Sequence, residues 1–268
     1  MAHRYALAWL PRATATQGEP VSVLVPLAEK DLPTLPVCLA SLRANLMHEI
    51  RAVHVVGQRS ARIEAVCREA GVNYTPEDEV LPGSLVDVAY VAGGRNRGGW
   101  LRQQLLKLSW PAFIDAERVV AVDSDTRLLR PLAFQTADGR DVLFTADEYE
   151  AGYARATDRL LGPGRRCSWS FVAHTMLFDR VVMTALQSHI AARAGTPWLD
   201  AIIAAVDRTI GAGLSEFDLY GTYRWRSHPD RVVTRYWYNR KVDLTTLRTP
   251  RVRSPLRRFN FLSCHAKP

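Results

Sequence analysis

The first part of the chain alternates between short apolar runs and segments in which apolar residues recur at helical spacing. Val21–Val25 and Ile50–Val56 are apolar runs of strand length. Between them, from Leu35 to Leu46, apolar residues stand three or four positions apart, which predicts an amphipathic helix. After the second run, Ser60 suits the N-cap of a helix that ends at Gly71. This order of elements predicts a Rossmann-like α/β fold, with a mostly parallel central sheet and helices on both of its faces.

The same pattern continues through the rest of the chain. Further strands are predicted at 72–74, 118–122 and 142–145, and further helices at 100–108 and 198–206. A glycine-rich stretch, Gly93–Gly99, precedes the helix that is predicted to begin at Trp100. No segment has the composition of an interdomain linker, so we expect a single domain over residues 1–268, with an irregular lead-in at 1–20.

Composition narrows the class of protein and shows where its charge lies. The 268 residues are 47% hydrophobic and 23% charged, as in soluble globular proteins. The apolar runs are too short to span a membrane, and the four cysteines form no C-x-x-C pair, which together favour a cytoplasmic protein. The net charge of +8 is uneven, because residues 224–268 hold 12 basic and 2 acidic residues while the rest of the chain has a net charge of −2.

Two carboxylates, Asp123 and Asp125, directly follow the predicted strand at 118–122. Ligands of open α/β sheets bind beyond the carboxyl ends of the strands. If the backbone stays extended there, alternate side chains point the same way, so the two carboxylates can share one divalent cation. The alternative is that they only end a strand and face water.

The stretch from Trp100 to Leu132 resembles the donor-site core of GT-A glycosyltransferases, in which a helix, a connecting segment and a hydrophobic strand precede a D-x-D motif. The layout is similar to that of the glycogenin and lipopolysaccharide galactosyltransferase family. Uncharacterised bacterial glycosyltransferase-like proteins also resemble the chain, in its Trp–Gln–Gln–Lys helix, in Phe171–His174 and in Ser215–Gly221. The resemblance implies a GT-A fold.

The resemblance also implies a metal-bound donor. Asp123 and Asp125 would hold Mn²⁺ or Mg²⁺, which would bind the diphosphate of a UDP- or GDP-sugar. It further implies that His265, near the C-terminus, is a third metal ligand and that Lys267 contacts the donor, although the spacing is shorter than in that family and its glycine is missing. A frayed terminal histidine is the alternative. His174 is expected either to bind the acceptor or to be a partly buried histidine with satisfied hydrogen bonds.

The predicted helix at 100–108 offers candidate donor-binding residues. Trp100, Gln103, Gln104 and Lys107 fall on one face of that helix, with leucines on the adjacent face. That polar face can contact a ligand, or it can be a solvated surface with one tryptophan. Arg102 lies where the galactosyltransferase-like pattern has a donor-binding arginine, but on the far side of the helix from Lys107.

An inverting transfer needs a carboxylate that takes the proton of the acceptor hydroxyl. The candidates are Glu216, in the first turn of a predicted helix, and Asp147 and Glu148, which follow the strand at 142–145. Glu216 is preferred because its surroundings resemble the bacterial proteins. The alternatives are that Glu216 complements the helix dipole and that Asp147 and Glu148 lie in an exposed loop. A retaining enzyme needs no such base, and Glu216 would then only bind the acceptor.

These features predict a metal-dependent glycosyltransferase that transfers a sugar from a nucleotide-diphosphate sugar to a glycan or lipid-linked acceptor, which by resemblance belongs to bacterial surface polysaccharide synthesis. A haloacid-dehalogenase-like phosphatase is one alternative, but Arg127 stands where its D-x-D-x-T or D-x-D-x-V motif needs Thr or Val. A nucleic-acid-binding protein is another, because several arginines lie close before Phe259 and Phe261, yet no nucleic-acid-binding motif accompanies them.

The basic segment 224–268 predicts peripheral contact with anionic lipid at the inner face of the membrane. Removing residues 246–258 should weaken sedimentation with anionic vesicles at low salt, because the deleted residues carry positive charge. Vesicles of neutral lipid serve as the control. Equal sedimentation of both proteins with anionic vesicles would contradict the prediction.

Overall fold

The computed structural model describes residues 18–164, 169–249, 256 and 258–264. Its strands are β1 (Val21–Leu27), β2 (Ile50–Gly57), β3 (Asn73–Pro76), β4 (Val91–Ala92), β5 (Arg95–Asn96), β6 (Arg118–Val122), β7 (Thr126–Leu128), β8 (Asp141–Thr145), β9 (Thr175–Asp179), β10 (Val232–Tyr236), β11 (Asn239–Lys241) and β12 (Phe261–Ser263). Its helices are α1 (Leu35–Asn45), α2 (Ala61–Ala70), α3 (Gly83–Val86), α4 (Gly98–Leu108), α5 (Ala151–Leu161), α6 (Arg180–Ala194), α7 (Trp198–Ala205), α8 (Glu216–Ser227) and α9 (Leu244–Arg248).

A five-stranded sheet with the order β3-β2-β1-β6-β9 forms the centre of the fold. Its first four strands run parallel, and β9 runs antiparallel to β6. Every residue of β1 is buried, and so are the last four residues of β6. Strands covered on both faces are apolar at consecutive positions, which explains why these two appear in the sequence as continuous apolar runs.

Helices cover both faces of this sheet, as predicted. Val23 and Val25 pack in one hydrophobic cluster with buried residues of α1 and α2. Leu24, on the opposite face of the same strand, packs in a second cluster with buried residues of α4, α6, α7 and α8. The alternation of side chains along a strand therefore divides the core into two layers. The predicted α/β fold class with a mostly parallel sheet is confirmed.

The predicted start and end of α2 are also confirmed. The Ser60 hydroxyl accepts hydrogen bonds from the backbone N–H groups of Arg62 and Ile63 at 3.2 and 3.4 Å. Gly71 follows the helix in the left-handed region, with φ of 64°, a conformation that glycine adopts without steric cost. Local side-chain chemistry thus places this helix at the carboxyl end of β2.

Other boundaries differ from the prediction. The first strand continues beyond Val25 through Pro26, which is tolerated because β6 pairs with this strand only at residues 22–24. The glycine-rich stretch forms the turn between β4 and β5, with Gly93 and Gly94 at φ of 58° and 72°. Helix α4 consequently begins at Gly98 and not at Trp100.

The described parts of the basic segment 224–268 fold onto the body of the protein. β10 pairs with β8, and β12 pairs with β7, the strand that follows the two aspartates. Leu247 is buried with Leu262 and Cys264 in a small separate cluster. None of the described helices combines the length and the apolar character that crossing a lipid bilayer requires.

Replacing Ser60 with Ala should lower the free energy of unfolding by about 1 kcal/mol, because two N–H groups at the start of α2 lose their acceptor. Urea unfolding of the two proteins measures the difference. Ser60→Thr keeps the hydroxyl and should retain most of the stability. Equal losses for both substitutions would contradict a capping role.

Candidate active site

Asp123 and Asp125 lie in a tight turn between β6 and β7. The backbone N–H of Thr126 donates to the Asp123 carbonyl at 3.0 Å, and the N–H of Cys264 donates to the Asp125 carbonyl at 3.1 Å. The expectation of extended backbone at this point is wrong, because the chain reverses here to enter β7. The turn nevertheless keeps both carboxylates at the carboxyl end of the central strand β6.

His174 completes a cluster with these two carboxylates. One ligand atom from each of Asp123, Asp125 and His174 lies within 4.8 Å of the others. His174 Nδ1 is 3.6 Å from Asp123 Oδ2. Two carboxylates and one imidazole form a donor set that suits Mn²⁺, which accepts both oxygen and nitrogen ligands.

The backbone and the ring of His174 are both held in place. Its φ of 50° lies in the left-handed region, which is strained for a residue with a side chain. Its carbonyl accepts the N–H of Asp123 at 3.0 Å. Its ring centroid lies 4.5 Å from that of Trp237. The imidazole is therefore held beside Asp123 before any ligand arrives.

The sequence did not identify His174 as a metal-ligand candidate. The histidine that the resemblance favoured, His265, lies outside the described residues, as does Lys267. His174 immediately precedes β9, and Thr175 at the start of β9 pairs with Val122 at the end of β6. Only an antiparallel strand places its first residue at the carboxyl edge of the parallel strands. The sequence pattern predicted a mostly parallel sheet and did not predict β9.

Lys107 joins the aspartate turn to α8. Its Nζ lies 2.7 Å from Asp123 Oδ1 and also forms an ion pair with Glu216. The Gln104 side-chain oxygen accepts the backbone N–H of Glu216 at 3.1 Å. The structure thus brings Gln104, Lys107, Glu216 and Asp123 together.

The helix face predicted to contact a ligand is less accessible than expected. Gln104 and Lys107 are each 3% exposed, because the first turn of α8 covers them. Trp100 is half-buried, with the Arg97 guanidinium 4.3 Å from its ring and Tyr153 stacked at 6.2 Å. Contact of these residues with a donor stays a prediction.

The remaining predicted residues lie around this centre. Gln103 is half-buried on α4. Arg102 Nε lies 2.9 Å from Glu77 Oε2, so its guanidinium contacts a carboxylate at the end of β3. Asp147 is exposed beyond β8 and accepts a hydrogen bond from the Tyr236 hydroxyl at 3.0 Å, and Glu148 beside it is exposed as well.

Burial and mutual repulsion give the cluster unusual proton affinities. Burial, together with the charges of Asp123 and Asp31, raises the pKa of Asp125 to about 8. Burial also raises the pKa of Glu216. Burial lowers the pKa of Lys107, but Asp123 and Glu216 outweigh it and raise that pKa overall, so Lys107 is a cation at neutral pH. A divalent cation bound beside Asp125 would favour its ionised form.

Comparison with solved structures identifies the fold of the chain. An active-site mutant of LgtC is 14% identical over 92% of this chain and 88% of its own, with a TM-score of 0.51. Mouse xyloside xylosyltransferase 1 in its apo form is 14% identical over 92% and 98% of the two chains, with a TM-score of 0.48. Glucosyl-3-phosphoglycerate synthase from Mycobacterium tuberculosis, in complex with Mn²⁺, UDP and phosphoglyceric acid, is 15% identical over 82% and 69%, with a TM-score of 0.42. The likeness to LgtC shows that the chain has the GT-A fold.

Sequence comparison assigns the chain to a family. The model of the family of unknown function DUF6492 matches residues 20–249. The chain belongs to that family. No curated protein matches its sequence.

Replacing Asp125 with Asn should stabilise the metal-free protein at pH 8 by about 1 to 2 kcal/mol. The folded state holds the Asp125 proton more tightly than the unfolded chain, so the contribution of Asp125 to stability falls as the pH rises from 3.8 to about 8. Urea unfolding at pH 6, 7 and 8 in the presence of a chelator measures this effect. The gain should be largest at pH 8, whereas Asp115→Asn, at an exposed position, should leave the pH profile unchanged.

Proposed function

We propose that the chain is a metal-dependent glycosyltransferase that transfers a sugar from a nucleotide-diphosphate sugar to a glycan or lipid-linked acceptor. The observation that carries the proposal is the cluster of Asp123, Asp125 and His174 at the carboxyl end of β6, in a chain with the GT-A fold. LgtC, whose fold this chain shares, is named a galactosyltransferase and binds donor and acceptor sugar analogues. A site for a metal-bound diphosphate at this edge agrees with where open α/β sheets bind ligands.

The residues present fit a divalent cation. Asp123 and Asp125 offer carboxylate oxygens and His174 offers an imidazole nitrogen, all within 4.8 Å of one another. The imidazole favours Mn²⁺ over Mg²⁺, which prefers oxygen ligands alone. When bound, such a cation would stabilise the negative charge of the departing diphosphate.

The reaction requires one bond to break and one to form. The bond from the anomeric carbon to the diphosphate oxygen breaks, and its electron pair leaves with the nucleotide diphosphate. The acceptor hydroxyl oxygen bonds to the anomeric carbon and loses its proton. In an inverting reaction we assign that proton to Asp147, because this carboxylate is exposed at the end of β8, whereas Glu216 is enclosed with Lys107.

The basic segment 224–268 supports an acceptor that carries phosphate or lies at an anionic surface. Cys264, which follows β12, donates its N–H to the Asp125 carbonyl, and Lys241 of β11 pairs with Ser263 of β12, so this strand pair brings a basic residue close to the candidate site. An acceptor attached to a membrane lipid, as in surface polysaccharide synthesis, fits this placement.

Titration calorimetry with UDP- and GDP-sugars, with and without Mn²⁺, tests the proposal. At least one nucleotide sugar should bind more tightly with Mn²⁺, because the cation links its diphosphate to the carboxylates. Asp123→Ala, Asp125→Ala and His174→Ala should each weaken that binding about tenfold or more, since each removes a ligand.

His228→Ala is the matched control, because His228 is exposed at the far end of α8 and should leave the affinity unchanged. The proposal fails if no nucleotide sugar binds. It also fails if binding is indifferent to both Mn²⁺ and the aspartate substitutions.

A further inference from the structure

We propose that Glu216 is a positioning residue for Asp123, acting through Lys107, and that its carboxylate keeps Asp123 available to a divalent cation. The inference rests on the metal site of the proposed function. It gives Glu216 a different role from that of a base or an acceptor contact, and it assigns Lys107 to the interior of the site.

The two carboxylate oxygens of Asp123 have different surroundings. Oδ1 lies 2.7 Å from Lys107 Nζ, and Oδ2 lies 3.6 Å from His174 Nδ1. The ammonium therefore holds the carboxylate in one orientation and turns its second oxygen toward the other candidate ligands. A carboxylate held in this way needs little reorganisation when it binds a cation.

Lys107 is itself held from two sides. Its side chain is 4% exposed, forms an ion pair with Glu216 and lies with Nζ 4.2 Å from the centroid of the Phe217 ring. Glu216 and Phe217 are consecutive residues in the first turn of α8, whose N-cap Ser215 accepts the N–H of Asp218 at 3.2 Å. The start of α8 thus determines where the ammonium can lie.

Charge balance gives Glu216 its role. A buried ammonium beside a metal ligand repels a cation and competes with it for the carboxylate. Glu216 supplies a compensating negative charge, so that Lys107 can orient Asp123 without neutralising it. Glu216 is 4% exposed on its side chain and is enclosed by Lys107 and α4, so an acceptor would have to displace a buried ion pair to reach it.

The first turn of α8 also holds the segment that carries His174. Asp218 accepts the backbone N–H of Phe171 at 2.9 Å. Phe171 begins the short segment that leads to His174. Two carboxylates of one helix turn thereby hold the two segments that carry Asp123 and His174.

Mn²⁺ affinity separates charge balance from simple packing. The metal alone is titrated into the wild type, Glu216→Gln and the double variant Lys107→Met with Glu216→Gln, with free Mn²⁺ measured by electron paramagnetic resonance. Glu216→Gln should weaken Mn²⁺ binding about tenfold or more, because it leaves the ammonium uncompensated. The double variant also removes the uncompensated ammonium and should recover most of that loss, although Asp123 is then no longer oriented by Lys107.

The control is Asp141→Asn, which breaks a buried ion pair between β8 and Arg224, toward the other end of α8. It should leave the Mn²⁺ affinity unchanged even if it lowers stability. If Glu216→Gln does not fold, the double variant decides: affinity within tenfold of the wild type supports the proposal, and a larger loss overturns it.

Each result has one meaning. Wild-type affinity in Glu216→Gln overturns the inference and leaves the metal site intact. A double variant as weak as Glu216→Gln also overturns it, because a purely structural role would not be rescued by removing Lys107. Failure of the wild type to bind Mn²⁺ refutes the metal site of the proposed function and this inference with it.

Discussion

The antiparallel pairing of β9 with β6 is the constraint on which the candidate site depends. It pairs Thr175, the first residue of β9, with Val122, the last residue of β6. His174, just before β9, therefore lies beside Asp123, just after β6. The hydrogen bond from the Asp123 N–H to the His174 carbonyl then links the two segments directly. A parallel β9 would carry His174 to the opposite edge of the sheet, and the cluster would have no nitrogen ligand at this position.

The site gathers negative charge in a place with little water to solvate it. Asp123 and Glu216 both form ion pairs with the buried ammonium of Lys107, and burial, together with the charges of Asp123 and Asp31, raises the pKa of Asp125 to about 8. Such an arrangement costs stability in the metal-free protein. A divalent cation would remove most of that cost, so the energy that folding spends here is recovered when the ligand binds.

Much of this site could be predicted from local sequence. Asp123 and Asp125 follow an apolar strand, and the shared face of Gln104 and Lys107 follows from helical periodicity alone. The direction in which that face points could not be predicted, because it depends on α8 covering it from a distant part of the chain. For the same reason the sequence indicated Glu216 and Lys107 as separate functional candidates but could not show that they form an ion pair.

The sequence by itself determined the alternation of strands and helices, the capping of α2 by Ser60 and the position of the two aspartates, since each depends on neighbouring residues or on a short periodicity. The tertiary structure alone decided that His174 joins the cluster, that Lys107 is buried and that the basic segment pairs with β7 and β8. These contacts join residues far apart in the chain, and a pairing between distant strands has an order and a direction that local hydrophobic pattern does not encode.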